Sequence, residues 1–182
     1  MLARYAGQRA VALQNGTLLP GGRAIAGFSL TDHEGRPFGN AQLRGHPSLL
    51  FFGFTHCPDV CPTTLALLAQ LARAKPVADL QMLFVTVDPE RDDALTLKRY
   101  VDAFSPQLVG LRGSDAELDK LMQSVGAARF RQQTAAGNYL VDHSATLYLI
   151  DAGGRLAAVF TPPFSLPLLD ADLRLVAQSM DR

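Results

Sequence analysis

This sequence is poor in cysteine and carries no net charge, and each of these features excludes a class of protein. Only two cysteines occur in 182 residues, which is too few for a domain held together by several disulfides. Lysine plus arginine equals aspartate plus glutamate, with 17 of each. No overall positive field therefore draws the chain to nucleic acid or to an anionic membrane surface, and nucleic acid is not an expected partner.

Long apolar runs are absent as well. No stretch approaches the roughly 18 residues that a membrane span needs, and no signal-peptide core lies near the start. With 48% hydrophobic residues the chain can still bury one sizeable core, which predicts a single domain. Residues 1–24 have no acidic side chain and several glycines, so we expect a flexible N-terminal arm there and a folded domain over 25–182.

The two cysteines lie close together, directly after an apolar segment. The segment 47–54 is rich in Leu and Phe, which predicts a strand buried on both faces of a sheet. Helical periodicity begins at Leu65. Cys57 and Cys61 therefore occupy a strand-to-helix turn. Since a proline follows each of them, neither is expected to be helical, and Cys61 should cap the helix.

A position at a helix N-terminus favours the thiolate form of cysteine. We therefore expect a reactive pair in a polar turn rather than inert buried thiols. Three intervening residues can still bring the two Cα atoms within the roughly 4.4–6.8 Å that a disulfide requires. The pair can act either as a reversible disulfide or as two soft metal ligands.

The order of the predicted elements indicates an α/β domain of the thioredoxin-like class. Two buried strands alternate with helices, which implies parallel pairing. A small N-terminal hairpin precedes them, and a hairpin and a last helix follow. The predicted strands are 28–31, 36–38, 47–54, 80–87, 107–111, 130–133, 139–141, 145–150 and 156–160, and the predicted helices centre on 65–72, 97–104, 118–125 and 169–180. The strands 130–133 and 139–141 should form a hairpin around Gly137 and Asn138. The third helix should begin with a capping box of Ser114 and Glu117 and stop at Gly126.

His143 is the histidine that this topology brings to the cysteines. A histidine just before a strand is usually a structural group. Here, however, the strand from Ala145 should run antiparallel to the cysteine strand, so its start lies where the cysteine strand ends. Of the other histidines, we expect His33 and His46 to be solvated and His56 to contribute at most as an outer-shell group.

Two thiolates and one imidazole form a soft, three-coordinate set that suits Cu(I). A structural zinc ion would require a fourth protein ligand, and none is evident. The spacing of the cysteines is one residue longer than the Cys-x-x-Cys of thioredoxin-like enzymes. A peroxiredoxin needs Thr three residues before its nucleophile, whereas Phe54 and Pro58 occupy those positions here.

Acidic residues after the second buried strand form the segment Asp88-Pro89-Glu90-Arg91-Asp92. We expect an ordinary strand end, with Asp92 as the cap of the next helix. Asp88 would lie on the rim of the cysteine site. Tyr139 and Tyr148 are more typical of core residues than of ligands.

Three segments together resemble the Sco/SenC family of copper chaperones. They are residues 52–64 around the cysteines, residues 85–92 around Asp88, and residues 141–144 around His143. The resemblance covers about residues 25–182. It implies a thioredoxin-like fold in which Cys57, Cys61 and His143 bind one copper ion.

The same resemblance implies a role in assembling the binuclear CuA centre of cytochrome c oxidase subunit II. It also implies a domain on the periplasmic side of the bacterial inner membrane, held by an N-terminal anchor that would precede the arm. Other periplasmic copper carriers or thiol reductases would be further partners. The leading alternative is a thiol-disulfide oxidoreductase that uses Cys57 and Cys61 as its redox pair and keeps the oxidase cysteines reduced. Ala145 occupies the position where such reductases carry a cis-proline, which weakens that alternative.

Overall fold

A computed structural model describes residues 12–134 and 139–180 of the chain. In these ranges the chain forms ten strands and four helices. The strands are β1 Gly16–Ala24, β2 Ser29–Asp32, β3 Pro37–Gly39, β4 Ser48–Gly53, β5 Gln81–Thr86, β6 Leu108–Arg112, β7 Arg129–Gln133, β8 Tyr139–His143, β9 Leu147–Ile150 and β10 Arg155–Phe160. The helices are α1 Val60–Ala74, α2 Ala94–Phe104, α3 Asp115–Val125 and α4 Leu166–Met180.

Eight of these strands form one mixed sheet in the order β1-β10-β9-β4-β5-β6-β2-β3. Strand β4 runs parallel to β5 and antiparallel to β9, as predicted. Every residue of β4 is buried, because the strand lies in the middle of the sheet with side chains packed on both faces. The parallel pairing of β4 and β5 brings their carboxyl ends, Gly53 and Thr86, to the same edge of the sheet.

The side chains of β4 alternate between two hydrophobic clusters. Leu49 and Phe51 pack in the cluster that contains the buried faces of α1, α2 and α4. Leu50 and Phe52 pack in the cluster on the opposite face, which is covered by α3 and the β2–β3 hairpin. The period of two in a strand produces this division. Helices therefore cover both faces of the sheet, as predicted for this α/β class.

The expectation of a flexible arm is wrong for part of residues 1–24. Strand β1 pairs antiparallel with β10 and shifts register between Leu18 and Arg23, where Pro20 and two glycines interrupt regular pairing. Arg155 holds this part of β1 in place, because its guanidinium donates to the carbonyls of Gly21 and Gly22 at 2.9 and 2.7 Å. Residues 1–11 lie outside the described part of the chain.

The termini of α2 and α3 provide one correction and one confirmation. Asp93, and not Asp92, caps α2, with its side chain accepting from the Thr96 N–H at 2.7 Å. Ser114 caps α3 and Gly126 ends that helix in the left-handed conformation, as predicted. Asp92 is thus free for another role.

Strands β7 and β8 form a separate antiparallel pair with Arg129 opposite His143. The predicted hairpin is confirmed in its strands, whereas its turn around Gly137 and Asn138 lies outside the described residues. This pair matters for the site because His143 is the last residue of β8.

Candidate metal centre

The cysteine turn joins β4 to α1 at the carboxyl edge of the sheet. Helix α1 begins at Val60 with Asp59 at the N-cap position, so the prediction that Cys61 caps the helix is wrong. The helix can start before Pro62 because the N–H groups of the first turn have no acceptor within the helix. A proline there therefore costs no hydrogen bond. Cys61 consequently lies inside the first turn, while Cys57 stays in the preceding loop.

The two thiols differ in burial. Cys57 is partly buried, and Cys61 is fully buried, which corrects the expectation of two accessible thiols. Gly53 makes room for the inner sulfur, because a Cβ at that position would lie 2.9 Å from the Cys61 Sγ. Burial raises the pKa of the Cys61 thiol, with a further contribution from the hydrogen bond to Cys57. Cys61 is therefore a protonated thiol at neutral pH, and the thiolate expected from the helix N-terminus is not stabilised there.

His143 reaches the cysteines from β8, as the topology predicted. Its Nε2 lies 3.4 Å from the Cys61 Sγ, and its Nδ1 lies 3.2 Å from the carbonyl oxygen of Ser144. A carbonyl oxygen only accepts, so the hydrogen bond fixes the proton on Nδ1 and leaves the Nε2 lone pair facing the sulfur. Burial lowers the pKa of His143, which favours the neutral ring that a metal ligand needs.

Aromatic rings enclose this imidazole. The ring of Phe54 lies 5.8 Å from it and that of Phe51 lies 6.1 Å from it, both edge to face. Such packing restricts water around the inner half of the site and limits rotation of the ring. The imidazole is thus oriented by one hydrogen bond and two aromatic contacts.

The three donor atoms of Cys57, Cys61 and His143 lie within 4.8 Å of one another. Within 12–134 and 139–180, no other set of three His, Cys, Asp or Glu residues is close enough to hold a metal ion. Two sulfurs and one imidazole nitrogen match the preference of a soft ion that accepts three ligands, such as Cu(I). The donor set therefore fits copper better than zinc, for which these residues supply no fourth ligand.

Asp88 follows the carboxyl end of β5, the strand that pairs with β4, and is fully buried. Its carboxylate accepts from the Tyr139 hydroxyl at 2.6 Å and from the Nε of Arg91. The Arg91 guanidinium lies over the Tyr139 ring, 4.0 Å from its centre, and Arg131 approaches the same carboxylate at 3.8 Å. Tyr139 begins β8, so this network connects the end of β5 to the strand that carries His143.

Asp92 was predicted to cap a helix. It instead stabilises the turn that precedes Cys57. Its buried carboxylate accepts from the Thr55 N–H at 3.0 Å and from the hydroxyls of Thr55 and Thr86, both at 2.6 Å. Local patterns in the sequence do not predict this contact, since Thr55 is 37 residues away from Asp92. The only indication of a structural role was that Asp92 lies in an acidic segment just beyond a central strand.

The remaining histidines do not contribute donor atoms to the three-ligand group. His33 is buried, contrary to the expectation of a solvated side chain, and its Nδ1 accepts from the Gly110 N–H at 2.9 Å. His46 hydrogen-bonds to the Gln42 carbonyl at 3.2 Å. His56 is 56% exposed beside Cys57. Tyr148 belongs to the core, as predicted.

No helix within the described residues is long and apolar enough to cross a membrane.

The fold and the site together define a thioredoxin-like domain in which the sulfurs of a Cys-x-x-x-Cys pair and a nitrogen of a distant histidine come together. The sequence matches the family model for SCO1/SenC over residues 19–177. The chain therefore belongs to the SCO1/SenC family.

Individual relatives agree with this assignment. The chain is 43% identical over 137 residues to the mitochondrial SCO2 homolog of Mus musculus, a match that covers 70% of this chain and 52% of the mouse protein. The structure of Bradyrhizobium japonicum ScoI with copper bound is 38% identical, with a TM-score of 0.70 over 87% of this chain and 98% of that chain. The solution structures of apo Sco1 from Thermus thermophilus give 36% identity and a TM-score of 0.78, over 93% and 99% of the two chains. The chain spans about half the length of its mouse relative.

Proposed function

We propose that this chain is a copper chaperone that binds one copper ion through the sulfurs of Cys57 and Cys61 and the Nε2 of His143. The observation that carries the proposal is the convergence of these donors within 4.8 Å. The copper-bound ScoI from Bradyrhizobium japonicum, which has the same fold, supports the choice of metal. Copper is the cargo of this protein and is delivered to an acceptor.

The different burial of the two sulfurs suits delivery as well as binding. Cys61 and His143 form the enclosed side of the site, whereas Cys57 is partly buried and closer to solvent. An incoming thiol or imidazole from an acceptor can replace Cys57 first and the inner ligands afterwards. Each step exchanges one copper–ligand bond for another, so the ion is never released into water.

For the acceptor, we propose the CuA site of cytochrome c oxidase subunit II. Sco proteins work in cytochrome c oxidase assembly, and the CuA site offers the cysteine and histidine ligands that ligand exchange requires. The corresponding location is the periplasmic side of the bacterial inner membrane, with a membrane anchor on the N-terminal side of the domain. Mixing the copper-loaded chain with the isolated, reduced CuA domain and measuring copper in each protein after separation tests this acceptor.

Anaerobic titration of the reduced protein with Cu(I) is expected to saturate at one ion per chain. X-ray absorption at the copper edge should find two sulfurs and one nitrogen around the ion, because the site offers these donors. Protein oxidised to the Cys57–Cys61 disulfide is the matched control and should not bind. Saturation without sulfur ligation would contradict the proposed site.

Copper affinity is expected to depend on pH in two ranges. Above about pH 6.5, each lowering of the pH by one unit should reduce the apparent affinity about tenfold for each thiol proton that copper displaces. Cys61 supplies one such proton because burial raises its pKa. His143, whose pKa is lowered from 6.5 by burial, competes for its own proton only below that pH and then steepens the decline. Competition titrations against a Cu(I) chelator from pH 5 to 8 measure both ranges. A steepening that begins above pH 7 would contradict the neutral, buried imidazole.

The main alternative is a thiol-disulfide oxidoreductase that keeps the acceptor cysteines reduced. Two free thiols lie next to each other, and the outer one, Cys57, is accessible to a substrate disulfide. In that reaction Cys57 attacks one substrate sulfur, and Cys61 then closes the intramolecular disulfide and releases the second substrate thiol. This chemistry needs both cysteines but not His143, and the histidine therefore separates the two functions.

A further inference from the structure

His56 is the neighbour of Cys57 in the chain and lies outside the group of three converging donors. It directly precedes Cys57 in the chain, and its side chain is 56% exposed. Exposure then falls inward, since Cys57 is partly buried and Cys61 fully buried. The imidazole next to the outer cysteine in the chain is therefore more open to solvent than either thiol.

A buried carboxylate controls the orientation of this imidazole. Asp92 is fully buried, and its Oδ1 accepts from the Thr55 hydroxyl at 2.6 Å. The same Thr55 oxygen lies 3.1 Å from the Nδ1 of His56. Among the described residues, the only basic side-chain group within ion-pair distance of the Asp92 carboxylate is this Nδ1, at 3.8 Å.

The hydrogen bonds determine which ring nitrogen of neutral His56 carries the proton. A hydroxyl has one proton, and that of Thr55 is committed to Asp92. Its oxygen can then only accept from His56, so Nδ1 is protonated and Nε2 keeps its lone pair. Neutral histidine in water prefers the opposite tautomer. The chain Asp92–Thr55–His56 therefore prepares Nε2 as a ligand, as a carboxylate behind a metal-binding histidine does.

We propose that His56 is an entry ligand for copper, which binds the ion transiently through Nε2 before it passes to Cys57. This inference rests on the proposed copper-carrying function and adds to it a route into the site. The step is ligand exchange at constant Cu(I): a donor–copper bond breaks as the Nε2–copper bond forms. Transfer to Cys57 and Cys61 then replaces Nε2, and each sulfur that arrives as a thiol releases its proton to water.

The tautomer can be tested without copper. In the reduced protein, ¹⁵N shifts of the His56 ring at a pH where it is neutral should identify a protonated Nδ1. Thr55→Val should return the ring to the tautomer preferred in water. Thr63→Val is the matched control, because that hydroxyl donates only to the Asp59 carbonyl. A protonated Nε2 in the unsubstituted protein would overturn the proposal.

The entry role is tested by the rate of loading. When Cu(I) is supplied as a chelate in stopped-flow measurements, His56→Gln should slow loading about tenfold while the equilibrium affinity changes less than about threefold. Thr55→Val should slow it in the same direction, whereas His46→Gln, remote from the site, should not. Circular dichroism melting checks that each variant is folded.

The possible failures are distinguishable. A protein that binds Cu(I) but loads equally fast without His56 overturns the entry role alone. An equal loss of rate and equilibrium affinity in His56→Gln would make the residue a permanent ligand or a structural group, and would also overturn it. A protein with all four histidines that binds no Cu(I) overturns the proposed function, and the entry role with it.

Discussion

His143→Ala is expected to lower the affinity for Cu(I) by more than about 100-fold, beyond the range seen when only a group behind a ligand is removed. The substitution takes away the only nitrogen donor of the three-atom group and leaves two sulfurs. The small cavity between Phe51 and Phe54 would also admit water to the inner side of the site. Competition titration with a strong Cu(I) chelator, under anaerobic conditions, measures the change.

The same variant separates the chaperone from the oxidoreductase. Thiol-disulfide exchange with a small disulfide should change less than about threefold, because the attacking group is the partly buried Cys57 and the reaction needs no imidazole ligand. His46→Ala is the matched control, since His46 hydrogen-bonds only to the Gln42 carbonyl among the described contacts. If His143→Ala left both the exchange reaction and the Cu(I) affinity unchanged, the oxidoreductase would be the better assignment.

Elements with strong local signals could be predicted from the sequence. Strand β4 is a continuous apolar run, and helix α3 has a serine cap and a terminal glycine, so residues within each segment determine its structure. Strand β1 has no such signal. It contains Pro20 and two glycines, and its pairing partner β10 lies more than 130 residues further along the chain. Strand β1 forms because it pairs with the edge of β10, which would otherwise have no partner on that side.

The donor atoms could be predicted for a similar reason, but their environment could not. The spacing of Cys57 and Cys61 is local, and the antiparallel pairing of β9 with β4 brings His143 to them. The burial of Cys61 depends on Gly53 and on packing against distant strands. The helix N-terminus alone predicts a stabilised thiolate at Cys61, whereas burial dominates the pKa of that thiol.

The buried network of Asp88 gives the second large expected effect. Its carboxylate is fully buried and contacts Tyr139, Arg91 and Arg131. Arg91 also donates to the Tyr139 carbonyl at 3.3 Å. Because Tyr139 and His143 are the two ends of β8, this network holds one end of the strand whose other end carries the proposed metal ligand.

Asp88→Ala is expected to lower the free energy of unfolding by about 3 kcal/mol, because it leaves the partly buried Arg91 guanidinium without its carboxylate partner. Copper affinity should also fall about 10-fold or more, as for other residues that hold a ligand in place. Urea denaturation of the reduced apo protein and chelator competition measure the two effects separately. Tyr139→Phe, which removes only the hydroxyl donor, should cost about 1–2 kcal/mol.

Asp102→Ala provides the matched surface control for this pair of measurements. Asp102 forms an ion pair with Lys98 at 3.0 Å, and both side chains are 41% exposed, so its loss should cost less than about 1 kcal/mol and leave copper affinity unchanged. If Asp88→Ala destabilised the protein but bound Cu(I) normally, the network would support only the fold. A parallel loss of affinity in Asp88→Ala and in the milder Tyr139→Phe would instead indicate that β8 transmits the position of Tyr139 to His143.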